Sequence, residues 1–433
     1  MKYFSDRNNN LVVDFKTAVL SGLASDGGLF VPEKIPLLDK SVLENLYKTD
    51  IKETAKIVLS PYVSESISES DLDEIIDKTF SFPAPVVKLS DNLRILELFH
   101  GPTLAFKDFG ARFMANVMSY FVKLENQKLN ILVATSGDTG SAVANGFYDV
   151  EGINVFLLYP SGKVSQIQEM QLTTLDKNIV ALEIDGTFDD CQRLVKQAFT
   201  DNDLRNNFPM SSANSINIAR LLPQMVYYFE AVKQIEKEIK IVFSVPSGNL
   251  GNLTAGLIAK KMGLPVEKFI AATNSNDVFT KYISEGTFIP RASIKTYSNA
   301  MDVGNPSNLS RIDSIYGKLL DSIREDIYSV SFNDEQTIEG IKELKNKYGY
   351  LIDPHGSVGY LAYKNWIKDK NEKDFCGIIL ETAHPSKFSD VIEDQIGITP
   401  EMPERLSKCL TMEKKSIKLS GKYEDFKSYL LQR

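Results

Sequence analysis

Ile241-Val242-Phe243-Ser244-Val245-Pro246 runs straight into Ser247-Gly248-Asn249-Leu250-Gly251-Asn252, and then into an apolar stretch from Leu253 to Lys261. The order reads as strand, turn and helix. A short run rich in β-branched and aromatic residues is what a sheet covered on both faces buries. Two glycines three apart let the backbone close around a dianion at a helix start, where free N–H groups and the helix dipole favour negative charge. The pattern is neither GxxxxGK[ST] nor GxGxxG, so ATP and dinucleotide binding lose their main support.

The same order occurs upstream. Asn130-Ile131-Leu132-Val133-Ala134 stops in Thr135-Ser136-Gly137-Asp138-Thr139-Gly140-Ser141, and a helix of small residues begins at Ala142. A capped helix start is the plain reading of such a turn. Seven hydroxyl, glycine or carboxylate residues in succession exceed what a cap needs, and they suit a carboxylate or phosphate. Further short apolar runs, Val155–Tyr159 and Ile179–Ile184, alternate with helical stretches such as Asp189–Ala198, whose Cys191 reads as core. This alternation predicts parallel βαβ units in an α/β fold. Ligand sites in such sheets lie outside the carboxyl ends of the strands.

Leu93–Phe99 alternates like a strand and delivers Phe99-His100-Gly101-Pro102-Thr103-Leu104-Ala105-Phe106-Lys107-Asp108-Phe109-Gly110. A lysine is ordinarily a solvated surface residue. Lys107 stands between two phenylalanines, where desolvation disfavours the ammonium and yields a nucleophilic amine able to attack a carbonyl. Downstream, Asn214-Ser215-Ile216-Asn217-Ile218-Ala219-Arg220 places two amides, one hydroxyl and one arginine within reach of a phosphate, although Arg220 pairing a local acid explains the spacing equally well. Phe375–Glu381 is a last buried strand and stops at Thr382-Ala383-His384-Pro385. His384 reads as a hydrogen-bonded structural residue.

Residues 1–92 form an accessory segment, with helical periodicity through Ser41–Ser60 and Asp71–Phe80 and a boundary in Ser81-Phe82-Pro83-Ala84-Pro85. Residues 93–111 and 226–433 are expected to form a larger domain, with helical packing beyond Phe388, and residues 112–225 a smaller α/β domain. The 433-residue chain carries a net charge of −8, which argues against nucleic acid as a partner. No run of about 18 uncharged apolar residues occurs, so no membrane span is expected. Three scattered cysteines fit a reducing cytoplasm, and three histidines without metal-ligand spacing give no metal site.

An amine nucleophile at Lys107, two anion cradles and the lone hydroxyl of Thr382 are what a pyridoxal 5'-phosphate site needs. The combination of His100-Gly101-Pro102-Thr103, Phe106-Lys107-Asp108, Thr135–Gly140, Asn214-Ser215-Ile216-Asn217 with Arg220, Ser247–Asn252, Thr382–Pro385 and the amino-terminal Asp26-Gly27-Gly28-Leu29-Phe30 closely resembles the threonine synthase family, in its longer bacterial and fungal branch. The resemblance runs over nearly the whole chain. It implies a fold-type II pyridoxal-phosphate enzyme, similar to the tryptophan synthase β subunit: two open, mostly parallel sheets flanked by helices, with the cofactor between them.

It also implies roles. Lys107 would be both the catalytic residue and the one bonded to the cofactor. Gly248, Asn249, Leu250, Gly251 and Asn252 would hold the cofactor phosphate, and Thr382 would face the ring nitrogen. Part of the family has asparagine where Asp138 stands, touching the ring hydroxyl; an aspartate accepts rather than donates there. Thr135, Ser136, Gly137 and Thr139 would bind the substrate, as would Asn214, Ser215 and Arg220, these three at the departing phosphate. Lys163, a weaker candidate for that task, reads as a surface residue. The implied reaction converts O-phospho-L-homoserine and water to L-threonine and phosphate. A phospho-lyase or a threonine or serine dehydratase on the same scaffold is the nearest alternative, and a catalytically silent cofactor- or phosphate-binding module is another. Monomer and homodimer both remain open.

Overall fold

A computed structural model of the chain describes residues 1–135, 137–236, 239–371 and 374–433. Ser136, expected at the substrate, lies outside the described residues. Two open sheets carry the molecule. The larger has six strands in the order Ile327–Ser331, Lys268–Thr273, Lys240–Pro246, Phe375–Glu381, Leu93–Glu97, Val86–Lys88. All neighbours in it are parallel except the edge pair Val86–Lys88 and Leu93–Glu97. The second sheet has five parallel strands in the order Ile417–Ser420, Ile179–Asp185, Ile153–Pro160, Leu129–Ala134, Met210–Ser212. Its central strands read as continuous apolar runs because helices cover both faces; Leu129–Ala134 is buried at every position.

Two placements differ from the sequence expectation. The carboxyl-terminal strand Ile417–Ser420, expected within the larger unit as helical packing, pairs with Ile179–Asp185 in the smaller sheet. Its alternation of Ile417 and Leu419 with Lys418 and Ser420 suits an edge strand that buries one face. At the other end, Val86–Lys88, expected in the accessory segment, closes the edge of the larger sheet.

The expected helix over Ser41–Ser60 is two helices, Lys40–Asn45 and Ile51–Val63. Asp50 starts the second with a capping box: its side chain accepts from the Glu53 N–H, while Glu53 reaches back to the Asp50 N–H. Tyr3–Ser5, Val12–Val13 and Phe30–Pro32 form a small antiparallel sheet, and Phe15, which opens the helix Phe15–Ser21, packs against Phe121 of the long helix Lys107–Glu125. The accessory segment therefore buttresses the helix that begins at the candidate nucleophile.

For function the decisive feature is strand order. Lys240–Pro246, Phe375–Glu381 and Leu93–Glu97 are parallel neighbours. The loops that leave their carboxyl ends, Ser247–Asn252, Thr382–Pro385 and Phe99–Lys107, therefore emerge side by side.

Candidate active site

The loop before Lys107 is laced to the loop after Phe375–Glu381. Leu98 N–H donates to the Glu381 carbonyl, Phe106 N–H to that of Thr382, and His384 N–H to that of Leu104. Leu104 adopts the left-handed conformation (φ 60°), which tightens the turn. The Asp108 carboxylate, fully buried, braces it by accepting from Thr103 N–H (2.8 Å) and Thr103 Oγ1 (2.7 Å). Lys107 is thereby fixed at the first position of its helix, beside the Phe106 ring. Its side chain is only 14% exposed. Burial pulls its pKa below the usual lysine range; Asp138 opposes that, while Lys387 and Arg220 reinforce it.

Asp138 comes from the smaller sheet, at the start of the helix Asp138–Gly146. Its Oδ2 lies 3.6 Å from Lys107 Nζ, and its Oδ1 lies 2.6 Å from Lys387 Nζ. Burial works against the charged form, yet Lys387 and then Lys107 hold the Asp138 carboxyl well below the usual carboxylate range. In the rest of that turn the Thr135 hydroxyl accepts from Gly137 N–H (3.1 Å) and Gly140 N–H (2.9 Å). Thr135 therefore shapes the turn, and Thr139 stays half-buried in the first helical turn. A side chain at Gly137 has no room: a Cβ would stand 2.6 Å from Gln168 Nε2.

The loop Ser247–Asn252 is built differently. Ser247 Oγ donates to Asn252 Oδ1 (2.6 Å), and Asn252 Nδ2 donates to the Pro246 carbonyl (2.9 Å). Both polar side chains are spent on the loop itself, so Asn252 offers an anion only its backbone. The helix Gly251–Lys261 begins with no side-chain cap after Leu250 in the left-handed conformation (φ 60°). A Cβ on Gly251 would meet no atom nearer than 3.5 Å, with Asn308, Ser215 and Gln224 around it. An uncapped helix start suits a phosphate.

Asn249 joins this loop to the other expected phosphate site: its Nδ2 donates to Ser215 Oγ, and its Oδ1 accepts from Ser307 N–H. Fully buried Arg311 fixes the same junction, donating to the carbonyls of Ser215 and Ile216 and to that of Phe30 in the accessory segment. Arg220 is 5% exposed and packs over Gly110 of the Lys107 helix. Its Nη1 donates to the Ala213 carbonyl (2.7 Å), while its Nε, buried, has no partner among the described residues. Burial pushes its pKa down to about 10, against the pull of Asp108. A buried guanidinium with a donor to spare is an anion site. Asn214 stays half-buried, its N–H on Ser212 Oγ.

Lys387 is the residue that sequence reasoning passed over. It sits in the short turn Pro385–Phe388, 0% exposed, bonded to Asp138 and to the Thr103 carbonyl (3.0 Å). A lysine after Pro-Ser reads as a surface residue; only the strand-end neighbourhood of Thr382 hinted otherwise. His384 is structural as expected: its Nδ1 accepts from the Ser386 N–H (3.2 Å), and burial lowers its pKa to about 4.

Three family models match the chain. Threonine synthase N terminus covers residues 2–80, pyridoxal-phosphate dependent enzyme covers 83–378, and threonine synthase, C-terminal, covers 356–430. Threonine synthase of Haemophilus influenzae is 43% identical over 434 residues, the whole of both chains. The chain belongs to the threonine synthase family. Among solved structures, threonine synthase from Escherichia coli matches with a TM-score of 0.91 at 41% identity over the full length of both chains. Pyridoxal-phosphate-bound threonine synthase from Brucella melitensis matches with a TM-score of 0.94 at 33% identity, covering 100% of this chain and 99% of that one.

As a member of the threonine synthase family the chain is a pyridoxal-phosphate enzyme of fold type II, and its residues fit that cofactor. A largely buried amine stands at one strand end, and an uncapped helix start stands two strands away. Among the described residues no helix is long and apolar enough to cross a membrane.

Proposed function

We propose that the chain converts O-phospho-L-homoserine and water to L-threonine and phosphate. The observation that carries this reading is the pairing of a buried amine at Lys107 with a buried, under-bonded guanidinium at Arg220 over the same helix. Removal of a hydroxyl alone needs no cation of this kind, which favours a phosphorylated substrate over the dehydratase alternative.

Pyridoxal phosphate, when bound, supplies an aldehyde for amine chemistry and a ring that withdraws electrons from Cα. The chain's own residues do the rest. Gly248, Asn249, Leu250, Gly251 and Asn252 cradle its phosphate through backbone N–H groups and the helix dipole. Thr382 would offer a neutral hydroxyl to the ring nitrogen, and Asp138 would accept from the ring hydroxyl. Thr135, Gly137 and Thr139, with Ser136, take the substrate carboxylate at the other helix start.

Lys107 Nζ, as a free amine, would be the base for the Cα proton and then for a Cβ proton. Burial, with Lys387 and Arg220 nearby, lowers its pKa from the usual lysine range, which favours the free amine. Arg220, with Asn214 and Ser215, binds the γ-phosphate and stabilises negative charge as phosphate leaves Cγ. Water is then added at Cβ, so one water is consumed for each phosphate released. The test is direct: the purified protein, loaded with pyridoxal phosphate, releases phosphate from O-phospho-L-homoserine with threonine as the carbon product. Formation of a 2-oxo acid in place of threonine would assign the chain to the lyase alternative.

A further inference from the structure

Two lysines share one carboxylate at the centre of the molecule. Asp138 Oδ1 is taken by Lys387 Nζ at 2.6 Å and by Gln168 Nε2 at 3.3 Å, while its Oδ2 faces Lys107 Nζ at 3.6 Å. Lys387 cannot drift, because it is 0% exposed and its second hydrogen bond holds it on the Thr103 carbonyl of the Lys107 loop. Burying an ammonium is expensive unless it is paired, and a second lysine here asks for a reason beyond stability. We propose that Lys387 is a positioning residue: it neutralises Asp138 from behind and aims the remaining oxygen at Lys107, so that Lys107 is oriented by the carboxylate without being locked as its ion-pair partner.

The surrounding charges agree in sign. Lys107 meets Asp138, Lys387 and Arg220; Asp138 also meets His355, and the nearby Asp108 meets Lys387. Apart from the two carboxylates, every group in that set is a cation or can become one. Removing Lys387 leaves the full charge of Asp138 on Lys107. A proton on the Lys107 nitrogen is then held more tightly, whether that nitrogen is free or bonded to the cofactor. The inference rests on the assignment of Lys107 as the cofactor-bearing residue.

The experiment titrates the visible absorption band of the full-length, pyridoxal-phosphate-loaded protein against pH, for wild type, Lys387→Met and Lys387→Arg. The midpoint for loss of the proton on the Lys107 nitrogen is expected to move up by about one pH unit in Lys387→Met, a tenfold change in the deprotonated fraction at fixed pH. Lys387→Arg, which keeps the cation, is expected to restore most of it. A midpoint unchanged in a folded Lys387→Met protein overturns the proposal. Should that variant not fold, Lys387→Gln, which keeps a hydrogen-bond donor for Asp138 Oδ1 without the charge, is titrated in its place. Its midpoint must then lie at the higher pH, and one equal to wild type overturns the proposal. A wild-type protein with no band on Lys107 fails the assignment of that lysine instead, which keeps the two failures apart.

Discussion

The turn Thr135–Ser141 and the loop Ser247–Asn252 have the same grammar, strand, then small and polar residues, then helix, yet they are opposite devices. In the loop, polar side chains turn inward, Ser247 onto Asn252 and Asn252 onto Pro246, and what remains exposed to a ligand is bare backbone and a helix dipole. In the turn, the Thr135 hydroxyl takes the N–H groups of Gly137 and Gly140, and the helix start carries a charge, Asp138, held between two lysines. One holds an anion by geometry alone. The other governs an amine by Coulomb interaction, and it keeps its carboxylate ionised only because cations surround it.

The largest consequence of this contrast is for stability. Asp138→Ala leaves Lys387 as a fully buried, unpaired cation, and breaking a buried pair from one side typically costs about 3–5 kcal/mol. Denaturant unfolding should show a loss of that size, whereas Asn252→Ala, which removes neutral hydrogen bonds, should cost only about 1 kcal/mol. Equal losses would erase the distinction between the two devices.

Arg220→Ala comes next. Turnover of O-phospho-L-homoserine should fall about a hundredfold or more, while the visible band of the bound cofactor stays; loss of both together would mean that Arg220 serves the fold. A Cβ on Gly248 would stand 2.7 Å from the Met301 backbone. Gly248→Ala should therefore lower stability by about 1–3 kcal/mol and weaken cofactor retention, measured by thermal melting and by dialysis of the loaded protein.

The smallest effect lies beside Thr382. Glu381 is fully buried, its Oε2 has no partner among the described residues, and burial together with Asp353 pushes its pKa well above the usual carboxylate range. A carboxyl kept protonated in the folded state but ionised in the unfolded one loses stability as pH rises above the unfolded pKa of about 4.3. Glu381→Gln should accordingly be more stable than wild type by about 1 kcal/mol or more at pH 8, with the advantage vanishing below pH 4. Parallel stability curves for the two proteins would contradict the assignment of a neutral Glu381.

Lys107, the loop at 247–252, the turn at 135–141 and Thr382 were all legible in the sequence because strand–turn–helix order is local. A reader needs only the rule that sites gather at strand carboxyl ends. The neighbourhood of the first, second and fourth was not legible, since it follows from Phe375–Glu381 lying between two strands from far earlier in the chain. Lys387 was hidden for the same reason: it meets Thr103 from 284 positions away, and nothing in Pro385-Ser386-Lys387-Phe388 marks a buried cation. The strand Ile417–Ser420 escaped because an edge strand of four residues carries too little alternation to outweigh the helical stretches beside it.

The central claim is that Lys107 is the amine that meets the cofactor. Borohydride reduction of the loaded protein, followed by digestion and mass analysis, tests it at one atom. The cofactor's mass should appear on the peptide containing Lys107 and be absent from Lys107→Ala protein. Its appearance on Lys387, or its persistence in Lys107→Ala, would contradict the account.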